Sequence, residues 1–438
     1  MQRKLLTALF FAALPVALIA QSTPSDQVPL SYVQSAKPQT QHLGALSRPG
    51  SGGTGGVLGK TSNGGVLGID TLPNWSSYFY LPGAVPSGTG YYAQYTWQYT
   101  MMGHDPLSSG HEGDWEGHTT RIGAPIVPVI LDLRNYDGSP RYYNGVRMIL
   151  DPTPYVQPLL QSPLFSKTFY DSSEDPTQFN DAVQRAEFIK KTSDDWHTLL
   201  KPRVVTARTM VLIRGTYRFA VNADNTLAYV LVDGSVFGAD LFPPTPTDTT
   251  TILGAAENSG DIQPEDFSSL FFANTFLYNG SPSNCCVVGY HSYDVEPGTA
   301  QNGWREKHYV MNYSSWVSPG IFGAAFQDIT ATSHEFTEAF NDPFVNNTTP
   351  IWLAPNGNCQ DLLETGDVIE GLPDATYPIS LNGTLYHPQN EALLQWFASE
   401  TPSSAIHHAY SYPDTTVLTS PSVSLLPDCA TPVPFAKN

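Results

Sequence analysis

The most chemically suggestive stretch of the chain is residues 328–343, which read DITATSHEFTEAFNDP. It resembles the H-E-x-x-H pattern of zinc proteases, except that Glu338 stands where the second histidine would be. His334 and Glu338 are spaced i, i+4, so on a helix their imidazole and carboxylate project from one face toward a common point. The spacing therefore predicts two metal ligands, His334 and Glu338.

Glu335 directly follows His334 and occupies the position of the general base in H-E-x-x-H enzymes. A metal ion lowers the pKa of a bound water toward neutrality, and a neighbouring carboxylate can then accept its proton. We therefore predict Glu335 as the catalytic residue. Zinc is the expected cofactor. Because Glu338 adds negative charge, which weakens the Lewis acidity of zinc, the harder ions calcium and manganese are alternatives.

A catalytic metal site needs a third protein ligand, and NGNCQDLLETGDVIEG, residues 356–371, supplies carboxylates for it. Glu364 and Asp367 lie in a glycine-containing loop close to Cys359, and Asp361 precedes them. Two histidines are alternatives to the acidic loop, although a single histidine is more often structural. They are His291, in VVGYHSYD, and His387, in LYHPQNE.

The segment SHEFTEAFNDP, followed by a tryptophan and then ETGD, resembles a family pattern, S-H-E-x-x-E, N/D-P, W, E-x-G-D. It is found in the plant exordium (phosphate-induced protein 1) family and in secreted bacterial and fungal proteins. The likeness covers roughly residues 285–400. It implies a zincin-like extracellular protein with His334, Glu338, Glu364 and Asp367 at the matching positions. Cys359 and the long N-terminal region depart from the pattern.

A second group of ionisable residues lies in GHEGDWEGH, residues 110–118. Five of the seven positions in GHEGDWE match the G-H-R-H-D-W-E heptapeptide of secreted necrosis-inducing cytolysins, which forms a cation site. The alternatives are a polar loop between two strands and a separate cation site. The candidate residues are His111, Glu112, Asp114, Glu116 and His118.

A helix must position the ligands of the first motif. At 100° per residue its bulky side chains fall on one side, which predicts inward packing, and Thr330, His334 and Glu338 fall on the opposite side. A solvent-facing acidic helix would give the same pattern, so this remains an alternative. The bulky residues are Phe326, Ile329, Phe336 and Phe340.

Hydrophobic patterning predicts an α+β fold. Residues 71–245 read as a β-rich region with strands in YYAQYTWQYTMM, APIVPVILDL, VVTARTMVLIRGTYRFAVN and LAYVLVDGSVFGADLF, and one helix in QFNDAVQRAEFIKK. The prolines of FPPTPTDTTT, residues 242–251, predict a boundary. Residues 246–438 are then a zincin-like domain with strands in CCVVGYHSY and HYVMNYSSW, the active-site helix, and a short helix in PQNEALLQWFA.

The N-terminus predicts export. Arg3 and Lys4 precede an apolar run, so residues 1–20 read as a signal peptide, and no later run has the roughly 18 apolar residues of a membrane span. Residues 21–70 contain GGVLG twice and are predicted to be a flexible leader. We therefore expect a secreted, extracellular protein with no membrane insertion.

The net charge and the cysteines give further information about the partners of the protein and its disulfides. The formal net charge of -19 becomes -21 without Arg3 and Lys4, which argues against nucleic acid as a partner. Four cysteines in an exported chain predict two disulfides. A bridge between adjacent Cys285 and Cys286 would be strained, so each is expected to reach Cys359 or Cys429.

These features together favour a secreted zincin-like metallopeptidase with a protein or peptide substrate. A non-catalytic cell-surface or wall-associated binding protein with a structural cation is the alternative. A glycosidase that uses paired acids such as Glu364 and Asp367 is a third possibility, which requires carboxyl groups several ångströms apart across an open groove.

Overall fold

The computed structural model of the protein is 38% strand and 18% helix, which confirms the predicted α+β class with a mostly β character. The predicted signal peptide, most of the predicted leader, residues 107–118 and Cys429 lie outside the described residues. The structure describes residues 26–34, 39–40, 69–87, 90–106, 119–324, 326–353 and 359–422.

The strands of the described chain vary from two to sixteen residues. They are β1 Gln39–Thr40, β2 Ile69–Asp70, β3 Asn74–Ser87, β4 Gly90–Met102, β5 Thr119–Arg134, β6 Tyr142–Tyr143, β7 Val146–Arg147, β8 Ile149–Leu150, β9 His197–Val204, β10 Arg208–Ile213, β11 Tyr217–Val221, β12 Leu227–Asp233, β13 Phe267–Ala273, β14 Thr275–Tyr278, β15 Cys285–Glu296, β16 Glu306–Trp316, β17 Thr348–Leu353, β18 Cys359–Leu362, β19 Ile379–Leu381, β20 Thr384–Tyr386, β21 Glu391–Ala392 and β22 Ser411–Tyr412. The α-helices are α1 Thr153–Leu160, α2 Phe179–Phe188, α3 Gly234–Leu241, α4 Ile252–Ser259, α5 Thr330–Asn341 and α6 Leu394–Phe397.

A twelve-stranded sheet forms the centre of the fold. Its main path runs β10-β5-β13-β16-β15-β14-β12-β11, and β1, β2, β8 and β9 attach along it. The long strand β5 pairs in parallel with β9, β10 and β13, and Ile126 pairs with both Val204 of β9 and Ser269 of β13. β15 runs antiparallel to β16, which places His291 opposite Asn312.

The domain boundary predicted between residues 245 and 246 falls within this sheet. β5, from the N-terminal side, pairs with β13, from the C-terminal side. β12 likewise pairs with β14 through Val230 and Thr275. The proline-rich residues 242–251 join α3 to α4. The two predicted regions therefore contribute strands to one sheet. Local composition does not reveal pairing between strands that are distant in sequence.

Residues 26–34, which belong to the predicted flexible leader, pack against β11. The N–H of Val28 donates to the Phe219 carbonyl at 2.9 Å. The Asp26 carboxylate pairs with Arg141 at 2.7 Å and with Arg214 at 3.1 Å, and Val33 is fully buried. This part of the leader is therefore held by backbone hydrogen bonds and ion pairs that its composition does not reveal.

Two segments differ from their predicted secondary structure. The predicted strand at residues 227–242 ends at Asp233, whose side chain accepts a hydrogen bond from the N–H of Ser235 and begins α3. The predicted helix at residues 388–398 is helical only in α6, because β21 pairs with β22 beside it. The helix predicted in QFNDAVQRAEFIKK is confirmed as α2.

Helix α5 lies between the sheet and α2. Phe336 packs on Phe267 of β13 with ring centroids 4.9 Å apart, and on the other side the hydroxyl of Thr337 donates to Asn180 of α2 at 3.3 Å. All twelve residues of α5 are buried. The solvent-facing alternative for this helix is therefore wrong. Phe326 precedes the helix and packs in a different cluster from Phe336.

The cysteines pair differently from the prediction. Cys285 forms a disulfide with Cys286, so neither reaches a distant cysteine. The peptide bond between them is cis, and their Cα atoms are 3.0 Å apart. Cys359 is also disulfide-bonded.

Candidate metal centre

Helix α5 presents three ionisable side chains to one buried centre. His334 Nε2 lies 2.9 Å from Glu338 Oε1 across one helical turn, as the i, i+4 spacing predicts. Glu335 lies beside them, and the three residues are between 0% and 3% exposed. The helix therefore directs an imidazole and two carboxylates to a region closed to bulk water.

The loop after β18 closes this centre from the opposite side. The N–H groups of Gly366 and Asp367 donate to Glu338 Oε1 at 3.1 and 3.3 Å. Asp367 Oδ1 lies 3.5 Å from His334 Nε2, and the Gln360 amide donates to Asp367 Oδ2. The loop and α5 thus bring His334, Glu338 and Asp367 together.

Strand β15 contributes a second imidazole, from His291. Its Nδ1 lies 3.3 Å from Glu335 Oε2 and 3.6 Å from Glu338 Oε2. Two residues earlier, Gly289 leaves room for Glu335, since a Cβ there would be 2.8 Å from Glu335 Cγ. The sequence predicted His291 only as an alternative third ligand. Gly289 is two residues earlier and therefore on the same face of the strand, and it was the one signal that could have pointed to His291.

The donor atoms form two groups that share Glu338. One group contains His291, Glu338 and Glu364, and the other contains His334, Glu335 and Glu338. Within each group the donor atoms lie within 4.8 Å of one another. The five site residues predicted from the sequence thus meet at one place, with Glu364 beside His291 and Asp367 beside His334.

The other candidate ligands lie elsewhere or outside the described residues. Asp361 is exposed and belongs to neither group. The His387 Nδ1 lies 2.6 Å from Asp328, whose carboxylate also accepts the N–H of Ile329 before the start of α5. His387 is therefore placed to fix the start of the helix. The cluster of His111, Glu112, Asp114, Glu116 and His118 lies outside the described residues.

Burial and mutual charge shift the pKa values of these groups strongly. Burial raises the pKa of Glu335 to about 7 and that of Asp367 to about 7, and the Glu338 charge contributes to both shifts. Burial opposes charge on Glu338 as well, but His334 and His291 hold its pKa below the usual range. Burial also disfavours the protonated imidazoles, yet the surrounding carboxylates keep both histidine pKa values well above normal.

The donor set fits a bound cation. Within the centre, each ion pair between described residues joins a carboxylate to His291 or to His334. Buried carboxylates are costly unless a positive charge compensates them, and a divalent cation supplies it. Glu335 Oε1 is buried and accepts no hydrogen bond within the described residues. Mixed imidazole and carboxylate donors favour zinc or manganese over calcium, which prefers oxygen ligands alone.

Comparisons with protein-family models, curated proteins and solved structures gave no match for this chain. Over the described residues, every helix is too short or too polar to cross a membrane.

Proposed function

We propose that the protein is a metalloprotein that binds a divalent ion, with zinc as the first candidate, through His334, Glu338 and Asp367. The observation that carries this proposal is the convergence of His334 Nε2, Glu338 Oε1 and Asp367 Oδ1, at 2.9 and 3.5 Å from the imidazole nitrogen. The hydrogen bonds from the loop to Glu338 hold this carboxylate in place. Such support orients a ligand and increases metal affinity.

We extend the proposal to metal-dependent hydrolysis of peptide bonds, with Glu335 as the base. A bound zinc ion would supply the nucleophile, because such an ion lowers the pKa of water. Glu335 lies beside the ligands and directs Oε2 toward His291. Its Oε1 has no hydrogen-bond partner among the described residues, so this oxygen is available to hold a proton.

The test of the base is Glu335→Gln, which keeps the shape of the side chain and removes its basicity. We expect hydrolysis of casein to fall by about 10²-fold or more, with metal content unchanged by elemental analysis. Glu391→Gln is the matched control, because Glu391 is buried nearby but belongs to neither donor group. Undiminished hydrolysis in Glu335→Gln would exclude this role, and loss of the metal would make Glu335 a ligand instead.

Burial favours a second candidate, a non-catalytic binding protein with a structural cation. The three proposed ligands are at most 4% exposed, which suits an ion that ties a helix to a loop better than one that meets a polypeptide. This candidate predicts that a chelator lowers the melting temperature of the protein while the metal-loaded form hydrolyses no peptide. Turnover that returns on re-addition of the metal would favour the hydrolase.

We also propose that the protein works outside the cell. The basic and apolar pattern of residues 1–20 supports this proposal, and so does the disulfide between Cys285 and Cys286, since disulfides persist in oxidising compartments. A mature N-terminus near residue 21 in protein recovered from culture medium would test it. Retention of residues 1–20 in the cell fraction would contradict it.

A further inference from the structure

We propose that this centre holds two divalent metal ions, with Glu338 as the bridging carboxylate and His291 and Glu364 as ligands of the second ion. The inference rests on the proposed function, because the first ion is the one bound by His334, Glu338 and Asp367. It adds a second site built from a strand and a loop. Two metal ions bridged by a carboxylate occur in hydrolytic enzymes.

The first argument is the direction of the two Glu338 oxygens. Oε1 lies 2.9 Å from His334 Nε2, and Oε2 lies 3.6 Å from His291 Nδ1. One carboxylate therefore faces two imidazoles that come from different elements, α5 and β15. A carboxylate with one oxygen toward each of two nitrogen donors is the arrangement that bridges a pair of ions.

The second argument is the orientation of the His291 ring. Its Nε2 lies 3.1 Å from the backbone carbonyl of Asp342, which can only accept a hydrogen bond. With a metal ion bound, this contact would keep the proton of the neutral imidazole on Nε2 and leave Nδ1, the nitrogen on the side of Glu335 and Glu338, as the ligand atom. A ligating histidine commonly donates its other N–H to a backbone carbonyl in this way.

The third argument is the span of the donor set. Two nitrogen or oxygen ligands of one ion, each about 2.1 Å from it, lie at most about 4.2 Å apart. The two donor groups each keep their atoms within 4.8 Å, and each contains a different imidazole. Neither group of described residues contains both imidazoles, which fits one ion at each histidine. At His334, Asp367 lies 3.5 Å from Nε2 and completes the ligand set of the first ion in place of Glu335, the proposed base.

The fourth argument is charge. The carboxylates of Glu335 and Glu338 face His291, and those of Glu338 and Asp367 face His334. Glu364 joins His291 and Glu338 in one donor group. A buried carboxylate is costly without a compensating positive charge, and two divalent ions supply more of this charge than one.

The test counts ions in the intact protein. The purified full chain is stripped with chelator, reloaded with Zn²⁺ or Mn²⁺, and examined by native mass spectrometry. Electron paramagnetic resonance of the Mn²⁺ form reports in addition whether two ions are magnetically coupled. We expect two ions per chain and a magnetically coupled pair of Mn²⁺ ions in the wild-type protein. Because this measurement uses only the wild-type protein, it does not depend on whether a variant folds.

Two variants from separate segments assign the second site. His291→Gln and Glu364→Gln should each retain one ion and lose the coupled signal, while Glu391→Gln retains two. One ion in the wild-type protein would overturn the second site and leave the proposed function standing. No ion in the wild-type protein would overturn both. Two ions in both His291→Gln and Glu364→Gln would overturn the ligand assignment.

Discussion

Gly366 lies directly against the imidazole of His334, where a Cβ on the glycine would be 2.4 Å from His334 Nδ1. That separation is shorter than side-chain atoms tolerate, so only glycine lets the loop approach the ring this closely. The same residue donates its N–H to Glu338 Oε1 at 3.1 Å. The glycine of ETGD thus sets the distance between the acidic loop and the ligands on α5.

We predict that Gly366→Ala weakens metal binding. The added methyl group must displace either the loop or the His334 ring, which separates Asp367 from the imidazole. Loss of supporting contacts around a metal ligand typically costs about 10- to 100-fold in affinity. Competition with a chromophoric chelator measures the change in dissociation constant.

The matched control for this prediction is Gly234→Ala at the start of α3. A Cβ there would lie 3.5 Å from the Tyr278 carbonyl, an ordinary contact distance. This variant should bind metal as tightly as the wild-type protein. Equal affinities in all three proteins would show that the approach of Gly366 to His334 is not required for binding.

Glu187→Gln should raise stability near neutral pH. Burial raises the pKa of Glu187 to about 8, against hydrogen bonds from Leu394 and Asn341 that oppose the shift. Because the folded-state pKa exceeds the unfolded value, the protonated side chain stabilises the fold fully below the unfolded pKa, and this contribution is lost as pH rises to about 8. The contribution of Glu187 protonation to the free energy of unfolding is on the order of a few kcal/mol.

The measurement is the free energy of unfolding in urea between pH 5 and 8, a range chosen to lie between the two pKa values of Glu187. Glutamine keeps an oxygen that can accept the Leu394 N–H, which lies 3.0 Å from Glu187 Oε1. The variant should therefore show a flatter pH dependence than the wild-type protein. Parallel profiles for the two proteins would contradict burial of a titrating Glu187.

Asn347→Ala should destabilise the junction between the β3–β4 hairpin and α5. The Asn347 side chain accepts the Thr100 N–H at 2.8 Å and donates to the carbonyls of Thr100 at 2.8 Å and Asn341 at 2.6 Å. Removing it leaves buried backbone groups without these hydrogen bonds, so we expect a loss of about 2 to 4 kcal/mol in unfolding free energy.

Asn346→Ala is the control for this change, because the neighbouring Asn346 side chain is exposed. Its effect on the free energy of unfolding should stay within about 0.5 kcal/mol. Chemical denaturation of both variants beside the wild-type protein separates the two cases. Equal stability of Asn346→Ala and Asn347→Ala would show that the hydrogen bonds of Asn347 do not hold the hairpin.

The helix and loop of the centre were predictable because their signals are local. The i, i+4 spacing of His334 and Glu338 and the apolar stripe of Phe336 and Phe340 define α5 and its ligand face, and the structure has both. ETGD indicated an acidic loop without showing how it meets the helix. That contact depends on the absence of a side chain at Gly366, which becomes meaningful only once the His334 ring is placed.

His291 and the sheet were harder to predict because both depend on long-range pairing. His291 reaches the centre because β15 pairs with β16 in a register that sets it opposite Asn312, beneath α5. Local alternation indicates a strand but contains no information about its partner. For the same reason the prolines of residues 242–251 suggested a boundary where the sheet continues through β5 and β13.

The pairing of β5 with β13 also restricts how this protein can mature. A propeptide that is cleaved and released must leave behind a unit that keeps its own hydrogen bonds. Removal of residues 71–245 would take away β5 and β12, and would expose the backbone edges of β13 and β14 to water and to other chains. We therefore expect the β-rich N-terminal half to remain with the rest of the fold rather than to be discarded on activation.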